Sequence, residues 1–202
     1  PVVRQSERFR LYEEAITRLR GAGLTYECYC SRREIREAAA APHGDAGRYP
    51  GTCRDLSESE RRRRRASLDR AGRTPALRFR SDLCARSFID AIHGRVSGAT
   101  DDVVIRRNDG VPAYNLAVVV DDAEQGIDQV VRGDDLLEVT PSQIHLTESL
   151  GLVAPGYAHV PLVLGPSGAR LAKRDGDVTL TDLHARGVAI EAVRQADGFG
   201  GG

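Results

Sequence analysis

The sequence predicts an α/β fold built around an open sheet. Apolar runs that read as strands occur at Val103–Arg107, at Val130–Val131 and at His159–Leu164, and a helical pattern from Thr140 to Leu150 separates the last two. Strands that alternate with helices along a chain favour an open α/β sheet. Ligands bind such sheets at the carboxyl ends of the strands, which is where Arg132 lies.

The first half of the chain carries three helix patterns. A helix over Ser6–Arg20 would have Phe9 and Ile16 on its apolar side. Ser31–Glu34 and Ser57–Glu60 match the capping box, in which a serine and a glutamate three residues later satisfy each other's backbone N–H groups. They predict helices that extend to about residues 41 and 71.

Further short runs have the composition of strands, and they are Thr25–Tyr29, Ala76–Arg80 and Ser87–Ile92. The sequence Asn108-Asp109-Gly110 is a strong turn signal after Val103–Arg107. We interpret the apolar run Leu116–Val120 as another strand, at whose end Asp121 and Asp122 cap the next turn and take no catalytic role. Two helices over 179–186 and 188–197 complete the pattern.

Composition and charge narrow the class of protein. The chain has 29 basic and 29 acidic residues, so no overall charge attracts nucleic acid and any basic surface must be local. The run Arg61–Arg65 wraps more than one helical turn, and we interpret it as an exposed helix rather than an RNA-binding face. No stretch approaches the ~20 apolar residues that span a bilayer. We therefore expect a cytoplasmic protein with no membrane partner, whose four cysteines are reduced.

One lysine stands out in a chain whose other basic residues are all arginine. Lys173 lies in the glycine-bounded loop Gly165–Asp177, directly after an apolar run. A compact ammonium group on a mobile loop suits a crowded phosphate better than a planar guanidinium does. The loop alone is equally consistent with a solvated surface segment.

Three cysteines have a spacing that suits a metal. Cys28 and Cys30 are one residue apart, and Cys53 follows in a loop rich in glycine and proline. Three thiolates from such segments suit tetrahedral zinc, although three unconnected core cysteines would give the same pattern. For the fourth ligand His43 is the chemical default and Tyr49 is nearer to Cys53.

These pieces together resemble a known family, the class I glutamyl-tRNA synthetases. The resemblance rests on Val103–Asp122, on Val131–Leu137 with Thr140–Gln143, and on Arg170–Arg174, whose order and spacing match over nearly all of the chain. It implies an α/β fold: a partial Rossmann-type class I synthetase catalytic domain with a zinc-binding insertion and a short helical C-terminal segment. The implied boundaries are 1–24 for a helix of the nucleotide-binding fold, 25–100 for the insertion, 101–165 for the second half of the catalytic fold, and 166–202 for the lysine loop and C-terminal helices.

The resemblance assigns an ATP site to the lysine loop. The stretch Arg170, Leu171, Ala172, Lys173 and Arg174 is similar to the family's second ATP motif, with Arg170 and Ala172 in place of the usual lysine and serine. Lys173 is then the catalytic residue, which stabilises charge on the α-phosphate of ATP bound with Mg²⁺. The family's first ATP motif would precede Pro1, and because the chain has no methionine we expect that its N-terminal part has been removed.

The resemblance also assigns L-glutamate to two residues. Arg132 would bind a glutamate carboxylate through a bidentate fork, and Tyr114 would place its hydroxyl on the same substrate. From the residues alone, we would instead interpret Arg132 as an ion-pair partner of Asp134 or Asp135. Tyr114 is equally a tyrosine of the core.

Within the family, the stretch Gly47–Cys53 after the paired cysteines is similar to a paralogue that transfers glutamate to queuosine in the anticodon of tRNA(Asp). That paralogue uses a tyrosine as the fourth zinc ligand, so the resemblance selects Tyr49 over His43 beside Cys28, Cys30 and Cys53. It implies one structural Zn²⁺, and as partners ATP, L-glutamate and a queuosine-containing tRNA(Asp) bound by a monomer. The alternatives are a fragment of a conventional glutamyl-tRNA synthetase and a non-catalytic zinc-bearing module that binds RNA.

Overall fold

The computed structural model of the chain describes residues 2–39, 48–162, 180–189 and 192. The chain divides into two compact units, Pro1–Arg132 with Leu136–His159, and Gly133–Asp135 with Val160–Gly202. Nearly all of the regular structure described below belongs to the first unit. Of the second unit, the structure describes a single turn of 3-10 helix that begins at Asp134 and the short helix α6, Leu180–Ala185.

A three-stranded antiparallel sheet organises the first unit. Its order is β1 (Thr25–Cys28), β2 (Ala76–Phe79) and β5 (Val104–Arg106), so β2 lies in the centre. Successive residues of a strand point to opposite faces. Leu77 and Phe79 therefore bury one face of β2, while Arg78, opposite Tyr26 in the register, buries the other.

Three helices pack around the Leu77–Phe79 face of this sheet. They are α1 (Phe9–Gly21), α4 (Tyr114–Glu124) and α5 (Thr140–Ser149). Ile16, Leu116 and Leu146 are fully buried in the resulting core. A second and smaller buried cluster, separate from this core, surrounds the cysteines.

The second sheet has four strands in the order β4 (Gly94–Ala99), β3 (Ala85–Asp90), β7 (Gly156–Val160) and β6 (Gln129–Gly133). The β3–β4 pair is an antiparallel hairpin, and β3 pairs with β7 in parallel at Asp90 and Tyr157. Helix α5 lies close to β4. A Cβ atom added at Gly98 of β4 would be 3.0 Å from the Pro141 ring of α5. Residues far apart in sequence thus meet along β3 and β7.

Several sequence predictions are confirmed with small shifts of boundary. Both capping boxes form: Ser31 and Glu34 begin α2 (Arg32–Ala39), and Ser57 and Glu60 begin α3 (Glu58–Arg70). The strands predicted near residues 25, 76 and 103 are present, as is the helix that begins at Thr140. Phe9 was placed on the apolar side of α1 but is 43% exposed, and Tyr12 is buried there instead.

The prediction of a strand at Leu116–Val120 is wrong, because these residues lie within helix α4. A short apolar run is compatible with a strand and with a buried helix. In the folded protein this run packs against α1 and α5 as a helix. Asp121 consequently does not cap a turn. It accepts hydrogen bonds from the Tyr12 hydroxyl at 2.8 Å and from Arg8 Nε at 2.7 Å, which ties α4 to α1.

Other boundaries also differ. Strand β4 was not predicted, and the strand predicted at His159–Leu164 lies earlier, at Gly156–Val160. Most of the predicted helix over 188–197 lies outside the described residues. The four-segment division at residues 24, 100 and 165 stays a prediction. No helix in the described part of the chain is long and apolar enough to cross a membrane.

Candidate functional site

Three cysteines and a tyrosine converge at the end of β1. The Sγ atoms of Cys28, Cys30 and Cys53 all lie within 4.8 Å of one another, and those of Cys30 and Cys53 are 3.5 Å apart. The Tyr49 hydroxyl lies 3.4 Å from the sulfur of Cys28 and 3.8 Å from that of Cys30. Four ligands about 2.3 Å from a tetrahedral zinc ion would be separated by roughly 3.8 Å, so the spacing fits. We call these four residues the cysteine–tyrosine cluster.

The immediate surroundings of the cluster favour negatively charged ligand atoms. The backbone N–H of Cys53 donates to the Tyr49 oxygen at 2.9 Å, and that of Tyr29 donates to the Cys53 sulfur at 3.4 Å. The guanidinium of Arg78 stacks 3.5 Å from the centre of the Tyr49 ring. Arg78 is buried, and its Nε has no hydrogen-bond partner among the residues that the structure describes. A buried cation on this face is explained if the cluster carries negative charge.

Contacts within the cluster shift the pKa values of its members in opposite directions. Hydrogen bonds from the thiols of Cys30 and Cys53 lower the pKa of Cys28, against the effect of burial. The same contact with Cys28 raises the pKa of Cys30, and burial raises that of Tyr49. The protein alone therefore favours one thiolate, and a divalent cation is the natural partner for the full set of donors. The donor set fits zinc, with Tyr49 in the fourth position; His43 lies outside the described residues.

Two consecutive aspartates fasten the loop that carries Tyr49 and Cys53. Asp101 accepts the backbone N–H of Tyr49 at 3.1 Å. Asp102, which is fully buried, accepts Arg54 Nη1 at 2.7 Å and the Tyr26 hydroxyl at 2.6 Å. These bonds hold the loop against strand β1, where Cys28 lies. This pair of aspartates was not predicted from the sequence. The one sequence feature that could have indicated it is two consecutive aspartates just before a predicted strand.

The arginine run behaves as an exposed helix, as predicted. Arg62 pairs with Glu58, and Arg65 pairs with Glu27 of β1. Arg64 points towards the cysteine–tyrosine cluster, with Nη1 4.0 Å from the Cys53 sulfur. Arg61 Nε donates to the Leu56 carbonyl at 3.0 Å. The run therefore divides among several different partners and forms no single basic face in the described part of the chain.

A second site is a cleft between α4, α5 and the edge of the four-stranded sheet. Its lining combines apolar side chains with a few polar ones: Val118, Val119, Asp122, Ala123, Arg132, Gln143, Thr147, Val153, Pro155 and Tyr157. The Gln143 side chain donates to Asn115 Oδ1 at 2.9 Å, which fixes its amide. Burial and the neighbouring Asp121 raise the pKa of Asp122.

Arg132, on β6, is the positive charge in this cleft. Its Nε donates to His159 Nε2 at 3.1 Å, and its Nη2 donates to the Thr140 hydroxyl at 2.7 Å. The guanidinium lies 5.3 Å from the centre of the Tyr157 ring. Within the described part of the chain, the side-chain hydrogen bonds of Arg132 therefore go to neutral groups.

His159 and Asp90 lie directly behind Arg132 and were not singled out from the sequence. His159 Nδ1 is 2.6 Å from Asp90 Oδ2, and both side chains are fully buried. Asp90 also accepts the backbone N–H groups of Ile92, His93 and His159. Burial would raise the pKa of Asp90, but these hydrogen bonds together hold it well below its usual value. The sequence feature that could have identified His159 is its position as a lone histidine in an apolar run predicted to be a strand.

The other predicted site residues are placed as follows. Tyr114 begins α4 and is 51% exposed, which excludes a core tyrosine. Burial raises the pKa of Tyr157, which lines the cleft. Tyr114 is not among the described residues that line it, and its predicted role stays a prediction. Lys173 and the rest of the stretch Arg170–Arg174 lie outside the described residues, and their predicted roles stay predictions.

Comparison with known proteins gives consistent matches. The family model "tRNA synthetases class I (E and Q), catalytic domain" matches residues 1–196. A Nocardia farcinica protein named glutamyl-Q tRNA(Asp) synthetase is 63% identical over 193 residues, which are 96% of this chain and 61% of that protein. A Desulfitobacterium hafniense protein named glutamate–tRNA ligase is 41% identical over 196 residues, which are 94% of this chain and 39% of that protein.

A solved structure also matches. The crystal structure of a glutamate tRNA ligase from Elizabethkingia meningosepticum, in complex with its amino acid, aligns with a TM-score of 0.67 at 30% sequence identity. The match covers 88% of this chain and 38% of the ligase. The chain therefore spans about three fifths or less of the length of each protein that it matches here.

The Asp90 carboxylate should contribute stability that depends on pH. Its pKa is lowered in the folded protein, so its contribution is complete above the unfolded-state pKa of about 4 and declines as the pH falls further. We expect Asp90→Asn to lower the free energy of unfolding by about 1–3 kcal/mol at pH 7, and by less below pH 4. Urea unfolding at several pH values would measure both effects.

The matched control is Asp128→Asn, since Asp128 has an exposed side chain. It should change the free energy of unfolding by less than about 0.5 kcal/mol at every pH. An Asp90→Asn protein as stable as the wild type at pH 7 would contradict the role assigned to the carboxylate.

Proposed function

This chain belongs to the class I tRNA synthetases (E and Q), and from that premise we propose that it is part of a ligase that activates L-glutamate with ATP. The glutamyl group of the resulting adenylate is then transferred to queuosine in the anticodon of tRNA(Asp). The predicted α/β class I synthetase fold is confirmed by the family match and by the ligase structure. The proposal concerns the whole protein, of which this chain forms the catalytic-domain part.

The observation that carries the proposal is the cleft around Arg132. Arg132 lines this cleft together with Asp122, and neutral groups orient its guanidinium from behind. The two Nη1 hydrogens and the second Nη2 hydrogen are the donors that a carboxylate would take in a bidentate contact. The Tyr114 hydroxyl would contact the same substrate.

In the activation step, the carboxylate of glutamate attacks the α-phosphate of ATP and pyrophosphate leaves. Negative charge develops on the phosphoryl oxygens, and Lys173 would stabilise it. The stretch Arg170–Arg174 would hold ATP with its Mg²⁺. Support for these assignments comes from the family match, which includes the loop.

The cysteine–tyrosine cluster would hold one structural Zn²⁺. All four ligands are protein side chains, which is typical of a zinc ion that stabilises a fold and takes no part in catalysis. Arg78 would offset the excess negative charge of three thiolates and a phenolate. The bound ion would fix the loop containing Tyr49 and Cys53 to strand β1.

The queuosine acceptor is supported by sequence similarity. The relative named for tRNA(Asp) is 63% identical to this chain, whereas the glutamate–tRNA ligase is 41% identical. The tyrosine in the zinc cluster supports the same branch. A conventional ligase acting on tRNA(Glu) is the competing candidate. A cytoplasmic location and a monomeric state stay part of the proposal.

Replacement of Lys173 tests the activation step. We expect Lys173→Ala to slow glutamate-dependent exchange of pyrophosphate into ATP by about a hundredfold to a thousandfold, because a contact made in the transition state is lost. The exchange assay would use the protein expressed from its full reading frame. Arg95→Ala, at an exposed position on β4, is the control that should leave exchange unchanged. Exchange at the wild-type rate in Lys173→Ala would remove the lysine from the mechanism.

Metal content tests the cluster. The purified protein should contain about one zinc per chain by mass spectrometry, and Cys53→Ser should contain almost none because a tetrahedral site loses a ligand. Tyr49→Phe keeps three sulfurs and should release zinc to a chelator at least about tenfold more readily. Cys84→Ser, which alters an exposed thiol, should retain the metal. Zinc affinity unchanged in Tyr49→Phe would exclude the phenol as a ligand.

The acceptor is tested by supplying labelled glutamate and ATP with either queuosine-containing tRNA(Asp) or tRNA(Glu). We expect label on tRNA(Asp) alone, and none on tRNA(Asp) that lacks queuosine. Label on tRNA(Glu) would identify a conventional glutamyl-tRNA synthetase. Label on neither RNA would favour a non-catalytic zinc-bearing module.

A further inference from the structure

Arg132 is oriented by a chain of buried groups that crosses three strands of one sheet. Asp90 ends β3, His159 lies on β7, and Arg132 lies on β6. The strands are neighbours in the order β3, β7 and β6, so the three side chains follow one another across the sheet. Arg132 alone of the three lines the cleft.

The hydrogen bonds along this chain fix the proton positions. An arginine Nε can only donate, so the Nε2 of His159, 3.1 Å away, must be the acceptor. The proton of the neutral imidazole then lies on Nδ1, where Asp90 Oδ2 accepts it at 2.6 Å. A protonated imidazole would present a second N–H to Arg132 and lose this bond. Asp90 therefore selects the tautomer that can hold the arginine.

The order of the three groups has a chemical consequence. A carboxylate in direct contact with Arg132 would orient it but would also compete with the carboxylate of a ligand. The imidazole lies between the two charges and supplies a neutral acceptor instead. Thr140, whose hydroxyl accepts Arg132 Nη2 at 2.7 Å, is neutral as well. The guanidinium is thus held in place while its charge stays available.

The ring stack keeps the imidazole from turning. Tyr157 lies nearly parallel to His159, with ring centres 6.0 Å apart and 19° between the planes. Phe88 meets both rings edge-on. The His159 side chain is fully buried, so water does not replace either of its hydrogen bonds.

We propose that Asp90 and His159 are positioning residues for Arg132: they set the angle of its guanidinium towards the γ-carboxylate of glutamate without neutralising it. This inference rests on the proposed function, because it takes glutamate as the ligand of the cleft. It adds two residues that do not touch the substrate and that determine how tightly the substrate binds.

The test compares His159→Ala with His159→Gln in pyrophosphate exchange, using the protein from its full reading frame. His159→Ala should raise the KM for glutamate about tenfold to a hundredfold while the KM for ATP stays unchanged, because a hydrogen bond to a charged group is lost. His159→Gln keeps an acceptor oxygen and should recover most of that affinity. A general loss of structure would instead change both KM values.

A double-mutant cycle shows whether the effect passes through Arg132. In an Arg132→Ala background, His159→Ala should raise the KM for glutamate no further, since the group that it positions is absent. Asp90→Asn should give a smaller rise than His159→Ala in the wild-type background. Additive effects of His159→Ala and Arg132→Ala on this KM would overturn the positioning role.

A measurement without substrate separates this inference from the proposed function. The Nε–H of Arg132 should exchange slowly with water in ¹⁵N NMR spectra, and Arg132→Lys identifies its signal. His159→Ala should abolish the protection, and His159→Gln should keep it. Protection that persists in His159→Ala overturns the positioning role, whereas a protected signal without any glutamate-dependent exchange in the wild type overturns only the proposed function. If His159→Ala does not fold, Thr140→Val removes the other acceptor of Arg132 and should reproduce the rise in KM at a smaller size.

Discussion

Two consecutive aspartates just before β5 connect several elements of the structure through hydrogen bonds. Asp102 is buried and accepts hydrogen bonds from Arg54, from Tyr26 and from the backbone N–H of Ser81. Asp101 accepts the backbone N–H of Tyr49, and its own N–H donates to the Ser142 hydroxyl on α5 at 2.8 Å. One dipeptide therefore joins the loop that carries Tyr49 and Cys53, the central sheet and a core helix. A buried carboxylate is tolerated only when its lone pairs are all used in this way.

Buried charge is arranged differently at three places in the structure. At Asp102 the positive charge of Arg54 meets the carboxylate directly, which gives a closed ion pair that is suited to holding a loop. At Arg132 a neutral imidazole separates the arginine from Asp90. At the cysteine–tyrosine cluster, Arg78 stacks on the Tyr49 ring, and its Nε has no hydrogen-bond partner within the described part of the chain.

Much of the fold was accessible to sequence reasoning because its local signals are strong. The capping boxes at Ser31 and Ser57 act through residues three apart and need no tertiary context. The wrong prediction of a strand at Leu116–Val120 arose because the local signal there is weak. A run of five apolar residues is too short to show either the helical or the strand periodicity. Strand β4 was missed because Gly94–Ala99 has few β-branched residues, and its pairing with β3 across a tight turn supplies what its composition lacks.

The sequence by itself supplied the candidate ligand groups: cysteines one residue apart with a third in a Gly/Pro loop, a lone lysine in a glycine-bounded loop, and an arginine at a strand end. Residue type and short spacing carry that information. Tertiary structure alone decided which distant groups support them. Asp90 and His159 are 69 residues apart and meet because strands β3 and β7 become neighbours. Asp102 and Arg54 are 48 residues apart and meet because the loop that carries Arg54 lies against the residues just before β5. Sheet pairing is a non-local interaction, and no short stretch of sequence encodes it.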